Sequence, residues 1–252
     1  MDTNQSAYRL QKAEPQIVLL PVGSCEQHGP YLPIDTDLRI AQLVATKLAE
    51  TFPVPKTLLL PAIPFSSSWE HKGMGTIALN ITTLGAMLHD VAHSIKSWNL
   101  PVLLIIINWH GGNSVLSSLT TEITATESVP TAVIQAIALA GKAWYEHYGH
   151  ISDDVHAGAL ETSIIKAYWP KLLTETISAS SHWVPAIAPV QTQTALQALG
   201  IYAVTREGIW GNPEQADTEK GKVVIEATVQ KAYEEINRLL ELVHNLKKQD
   251  TP

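Results

Sequence analysis

An α/β protein, with a mainly parallel sheet covered by helices on both faces, is the fold that this sequence predicts, on three observations. Continuous apolar runs bounded by turn residues read as strands buried on both sides. Stretches with apolar residues at helical spacing separate these runs, and that alternation is characteristic of parallel sheets. The residues able to do chemistry follow the runs directly, at the strand ends where such sheets bind ligands.

Taken in order, residues 1–15 are polar and read as an N-terminal arm, and residues 16–22 are the first buried strand. From Asp37 a helical stripe of Leu38, Ala41, Leu43 and Leu48 runs to Phe52, with Thr36 or Asp37 as its cap. Residues 57–63 are the second strand, followed by a loop of small and polar residues, 64–76. Residues 83–98 form an amphipathic helix on Leu84, Met87, Leu88, Val91, Ile95 and Trp98. Residues 101–107 are a third strand, β-branched and continuous, which runs into Asn108-Trp109-His110-Gly111-Gly112-Asn113. A helix then opens at Asn113 or Ser114 and reaches about Glu127. Residues 131–138 are the fourth strand candidate. The chain is read as irregular from Trp144 to His150, helical up to Tyr168, irregular again over 178–212, and helical from Asp217 to about Leu246. No repeat, low-complexity tract or linker interrupts residues 16–252, which are taken as one domain.

Composition narrows the function. With 45% hydrophobic and 16% charged residues, the chain of 252 residues has the balance of a folded globular protein. A net charge of −7 and the lack of a Lys/Arg cluster exclude nucleic acid as a partner. Apolar runs such as residues 102–107 fall far short of the roughly 20 residues that cross a bilayer. The N-terminus has no signal-peptide pattern, and the single cysteine, Cys25, rules out an internal disulfide. These points predict a cytoplasmic protein with no membrane partner.

The loop after the first strand holds Glu26, His28 and Asp37. Glu26 and His28 are two apart, so extended backbone points them to one side, and Gly29, Pro30 and Pro33 can turn Asp37 back towards them. His110 follows the third strand. His156 and Glu161 are five apart, so they converge only if His156 precedes the helix that holds Glu161. Glu26, His28, Asp37, His110 and Glu161 together offer carboxylates and imidazoles suited to zinc, manganese or iron. One catalytic zinc uses about three protein ligands. This larger set suits two divalent ions that share Asp37 as a bridge, roughly 3.5–4 Å apart, with a hydroxide between them.

Other readings of the same residue types are weaker. His89 and His93, at i and i+4, resemble a zinc-protease helix with Asp90 in place of the glutamate, but both lie beside the apolar stripe and read as a solvated face. Cys25 beside His28 suggests a thiol nucleophile that nothing else supports. Ser24 lacks the nucleophile-elbow glycines, and no Lys-Ser/Thr follows Gly111-Gly112 as a phosphate loop requires.

The segment 20–37, beginning Leu20-Pro21-Val22-Gly23-Ser24-Cys25-Glu26-Gln27-His28-Gly29-Pro30, closely resembles the first signature of the creatininase family. Glu70-His71 through Gly75-Thr76, residues 108–113, His156-Ala157-Gly158 with Glu161-Thr162-Ser163, and the turn 208–213 match further family motifs in order. The resemblance implies an α/β sandwich, two zinc and/or manganese ions, and hydrolysis of non-peptide C–N bonds in small amides, cyclic ones included. It also implies a homo-oligomer, often a hexamer. By position, Glu26, His28, Asp37, His110 and Glu161 are ligands and His156 is the acid/base residue, with Trp109, Gly111, Glu70, His71 and Ser152 around the substrate. Two departures point away from creatinine itself. Gly112 stands where creatinine-hydrolysing members carry a glutamate, and Ser152 where they carry a tryptophan. Sister branches cleave a precursor peptide in cofactor maturation or act on formamides. A non-catalytic metal-binding oligomer is the reading from a different class.

Overall fold

The apolar runs fold as one parallel sheet of β1 (Ile17–Val22), β2 (Thr57–Leu59), β3 (Leu103–Asn108) and β4 (Thr131–Gln135), in the order β2-β1-β3-β4. The computed structural model describes residues 1–53, 56–150, 154–173, 175–177, 193–205 and 207–249. Every residue of β1 and β3 is buried because helices cover both faces of the sheet. Ile17, Leu19, Leu103, Ile105 and Ile107 face one core with α2 (Thr36–Thr51), α5 (Ala136–Tyr148), α6 (Ala159–Tyr168) and α9 (Thr218–Gln249). Val18, Leu20, Leu104 and Ile106 face the other, with α3 (Ile81–Lys96) and α4 (Leu116–Glu127). The period of two along each strand thus splits one apolar run between two cores.

Chain order and strand order diverge beside β1, which has β2 on one side and β3 on the other. This switch point opens a crevice beyond the carboxyl ends of β1 and β3. The loops that carry Glu26 and His110 leave from those ends.

Four local expectations need correction. The fourth strand stops at Gln135, and α5 begins at once, because Ala136, Ala140, Ala143 and Trp144 bury a helical stripe. A short alanine-rich apolar run satisfies either period, and residues 144–148, read as irregular, belong to this helix. The N-cap of α2 is Asp35, which pairs with Arg39 at 2.7 Å, while Thr36 Oγ1 donates to the Pro33 carbonyl at 2.6 Å. Asp37 is thereby left free to face the crevice from the first turn, where the helix dipole favours an anion. Within 178–212, the described residues include α7 (Gln193–Leu199) and α8 (Ile201–Val204). In the polar arm, α1 (Ala7–Ala13) is helical and Asp2 bridges to Leu59 along the edge of β2. Ser152 and residues 178–192 lie outside the described residues.

Candidate metal centre

Glu26 is fixed by its backbone, whose N–H donates to the Ile34 carbonyl at 2.8 Å, and its side chain is fully buried. His28 donates from Nδ1 to the Glu26 carbonyl at 3.1 Å. That bond leaves Nε2 facing Asp37 Oδ1 at 3.2 Å and Glu161 Oε2 at 3.8 Å. His110 has the mirror arrangement. Its Nε2 donates to the Ser67 carbonyl at 3.3 Å, and Nδ1 faces Asp37 Oδ2 at 3.0 Å and Glu26 Oε2 at 3.2 Å. Asp37 therefore stands between two imidazoles, one at each of its oxygens.

His156 precedes α6, as its convergence with Glu161 requires. Its Nε2 donates to the Gln27 carbonyl at 2.8 Å, and Nδ1 lies 3.8 Å from Glu26 Oε1. Glu161 accepts from the Trp109 indole at 3.0 Å and from the Ala157 N–H at 2.8 Å. His71, from the short 3₁₀ helix Trp69–His71, places Nε2 3.4 Å from Glu26 Oε1, and its ring centroid is 4.2 Å from that of His156.

The electrostatics follow from burial. Desolvation pushes the carboxyl of Glu26 up, and that of Glu161 up to about 7. Burial pulls His28 down, but Asp37, Glu161 and Glu26 outweigh it and lift the ring to about 10. Desolvation opposes ionisation of Asp37 too, yet His28 and His110 hold its carboxyl well below the usual range. Burial and the neighbouring imidazoles hold His71 and His156 well below the ordinary histidine value, so both are neutral near pH 7. The cluster demands positive charge among its carboxylates, from imidazole protons or from a divalent cation.

A cation fits the atoms present. Both oxygens of Glu26 and Oδ2 of Asp37 are buried without a hydrogen-bond donor, a condition that calls for an explanation. Among the described residues, Glu26 with His28 and Asp37, His28 with His156 and Glu161, and Glu26 with His71 and His156 each bring ligand atoms within 4.8 Å of one another. Oxygen and imidazole donors of this kind suit zinc, manganese or iron.

The family model for creatininase, described as creatinine amidohydrolase, matches residues 2–236. The chain belongs to the creatininase family. A "Mycofactocin precursor peptide peptidase" of Mycobacterium ulcerans strain Agy99 is 32% identical to it, over 88% of this chain and 84% of that one. The protein of the same name from Mycobacterium tuberculosis strain H37Rv is 30% identical, over 91% and 88%. A creatinine amidohydrolase of Pseudomonas putida is 22% identical, over 85% and 86%. Among solved structures, a manganese creatininase has the same fold, with a TM-score of 0.73 at 19% identity over 95% of this chain and 98% of that one. The family is one of hydrolases.

A cavity of about 90 Å³ lies against this creatininase-family cluster, walled by Glu26, Asp37, His110, His156, Ile137 and Leu196 among others. Across Glu70, Gly111 and Gly112 it adjoins a groove of about 550 Å³ that runs past Trp69, Lys72 and residues 196–202. Glu26, His28, Asp37, His110, His156 and Glu161 converge as the sequence predicts, and Glu70, His71 and Gly111 join them. Trp109 does not line the cavity. Its side chain is wholly buried in the core and acts on the site through its bond to Glu161. The thiol of Cys25 is pushed up by burial and by Asp35 and Glu26, the opposite of what a nucleophile needs.

Sequence reasoning missed Gln27. Its Oε1 accepts from the Gly29 N–H at 3.0 Å, which fixes the amide, and Nε2 donates to His71 Nδ1 at 3.0 Å. Its place between Glu26 and His28 was the available signal. Alternation sends it to the opposite side from those two, where a glutamine reads as structural.

Proposed function

We propose that this creatininase-family hydrolase is metal-dependent and cleaves an amide bond in a short peptide. The observation that carries the reading is the groove of about 550 Å³ adjoining the small cavity at the ligand cluster. The cavity has room for a scissile group, and the groove for the residues of a longer substrate. The precursor-peptide peptidase name of the mycobacterial relatives supports the same choice over a small cyclic amide.

In this reading Glu26, Asp37 and His110 would hold one ion and His28, Asp37 and Glu161 the other, with Asp37 shared. When bound, such ions polarise the amide carbonyl and acidify water to near neutral pH. His156 moves the proton. Neutral through burial and anchored at Nε2 by the Gln27 carbonyl, it accepts a proton at Nδ1 and returns it to the leaving nitrogen. Glu161 is held in place by Trp109 and by the Ala157 N–H.

The test is turnover of short peptides, cyclic amides and formamides by protein stripped with a chelator and reloaded with Zn²⁺ or Mn²⁺. Peptide cleavage that returns with the metal and survives thiol alkylation is expected. Faster turnover of cyclic amides than of any peptide would sink the peptidase reading, and activity indifferent to metal would sink both. Cytoplasmic residence and a homo-oligomer, a hexamer by resemblance, complete the reading, and sedimentation velocity checks the assembly.

A further inference from the structure

Taking His110 as a metal ligand, as proposed above, we propose that Glu70 is a positioning residue that holds the His110 ring for the metal. The two nitrogens of this ring face different company. Nδ1 looks at Asp37 Oδ2 and Glu26 Oε2, while Nε2 has the Ser67 carbonyl at 3.3 Å and Glu70 Oε1 also at 3.3 Å. A carbonyl and a carboxylate can only accept, so a ring hydrogen sits on Nε2, and Nδ1 is the nitrogen that faces the cluster, where an ion would take it. Histidines that bind metals generally give their far N–H to such a partner, and loss of that partner typically costs about 10–100-fold in metal affinity.

Gly112 makes this contact possible. A Cβ at that position would run into the Glu70 carboxylate and press on His110 Nε2. A side chain at 112 would force the Glu70 carboxylate or the His110 ring to move and so disturb their contact. Glu70 arrives from the 3₁₀ helix Trp69–His71, in the loop after β2, and His110 from the loop after β3. The contact therefore ties two loops that separate strands deliver. The Glu70 side chain is 18% exposed and lines both the cavity and the groove, so this tie sits at the boundary between them.

The test is Zn²⁺ affinity of the stripped protein, measured by competition with a chromophoric chelator, for wild type, Glu70→Ala, Glu70→Gln and Gly112→Ala. Glu70→Ala is expected to bind about 10–100-fold more weakly, and Gly112→Ala to lose affinity in the same direction. Glu70→Gln keeps an acceptor oxygen and should stay within about threefold of wild type if the hydrogen bond is what counts. The visible spectrum of the Co²⁺-loaded Glu70→Ala protein should shift while its far-ultraviolet dichroism does not. Wild-type affinity in Glu70→Ala overturns the role of Glu70 alone, and so does a loss in Glu70→Gln as large as in Glu70→Ala. A wild-type chain that binds no Zn²⁺ overturns the metal reading itself, and this role with it.

Discussion

Between α3 and α4, His93 Nδ1 lies 3.0 Å from Glu127 with His89 alongside; at the strand ends, His110 Nδ1 lies 3.0 Å from Asp37. The distances match, but the side chain of His93 is 74% exposed and that of His110 only 3%. Water serves the first cluster. Solvent screens it, and an exposed pair of this kind contributes little to stability. In the second cluster, carboxylate oxygens have lost water without gaining a donor, and burying an ion costs several kcal/mol unless opposite charge compensates. The same residue types thus give a solvated cluster on a pair of helices and a candidate metal centre at a switch point. Burial and convergence make the difference.

The buried cluster depends most on Asp37, which stands between its two imidazoles. Asp37→Asn should cost the bound metal, measured by elemental analysis, and lower turnover by about a thousandfold, on the order of 4 kcal/mol. Retention of both ions would show that Asp37 is no bridge. His156→Ala comes next, with an expected fall in kcat of about 10²–10⁴ while metal content is unchanged. Loss of metal in that variant would make His156 a ligand instead of the proton carrier.

Burial at the second cluster also shows in the pH dependence of stability, with no activity measured. Burial raises Glu161 from 4.5 to about 7, so its contribution to stability is complete below pH 4.5 and is lost as pH rises through 7. From pH 4.5 to 8, metal-free wild type should lose about 3 kcal/mol that Glu161→Gln does not lose, read from urea unfolding of the two proteins. A constant difference across that range would contradict the burial argument. The smallest effect belongs to the exposed cluster. His93→Ala should alter stability by no more than about 0.5 kcal/mol and leave metal content as it was.

Much of the site was legible because its residue types are rare in apolar surroundings and follow recognisable strands. Glu26, His28, Asp37 and His110 sit directly after the β1 and β3 runs, and the need for His156 to precede its helix could be read from a spacing of five. Gln27 was missed, and Trp109 was placed around the substrate, because their partners are distant. Gln27 meets His71 across 44 residues and His156 across 129, and Trp109 meets Glu161 across 52. No local period carries such pairings. The start of α5 was lost for a different reason, since a short run of alanine and isoleucine satisfies the strand and the helix pattern equally.

By itself the sequence determined the alternation of strands and helices, the two-sided burial of β1 and β3, and the donor types at the strand ends, all of which depend on neighbours a few residues away. The tertiary structure decided which nitrogen each imidazole turns inward, that Trp109 supports Glu161 from the core, and that Gly112 makes way for Glu70. Those outcomes depend on hydrogen-bond partners and free volume delivered by loops far apart in the chain, and both exist only once the sheet has brought the loops together.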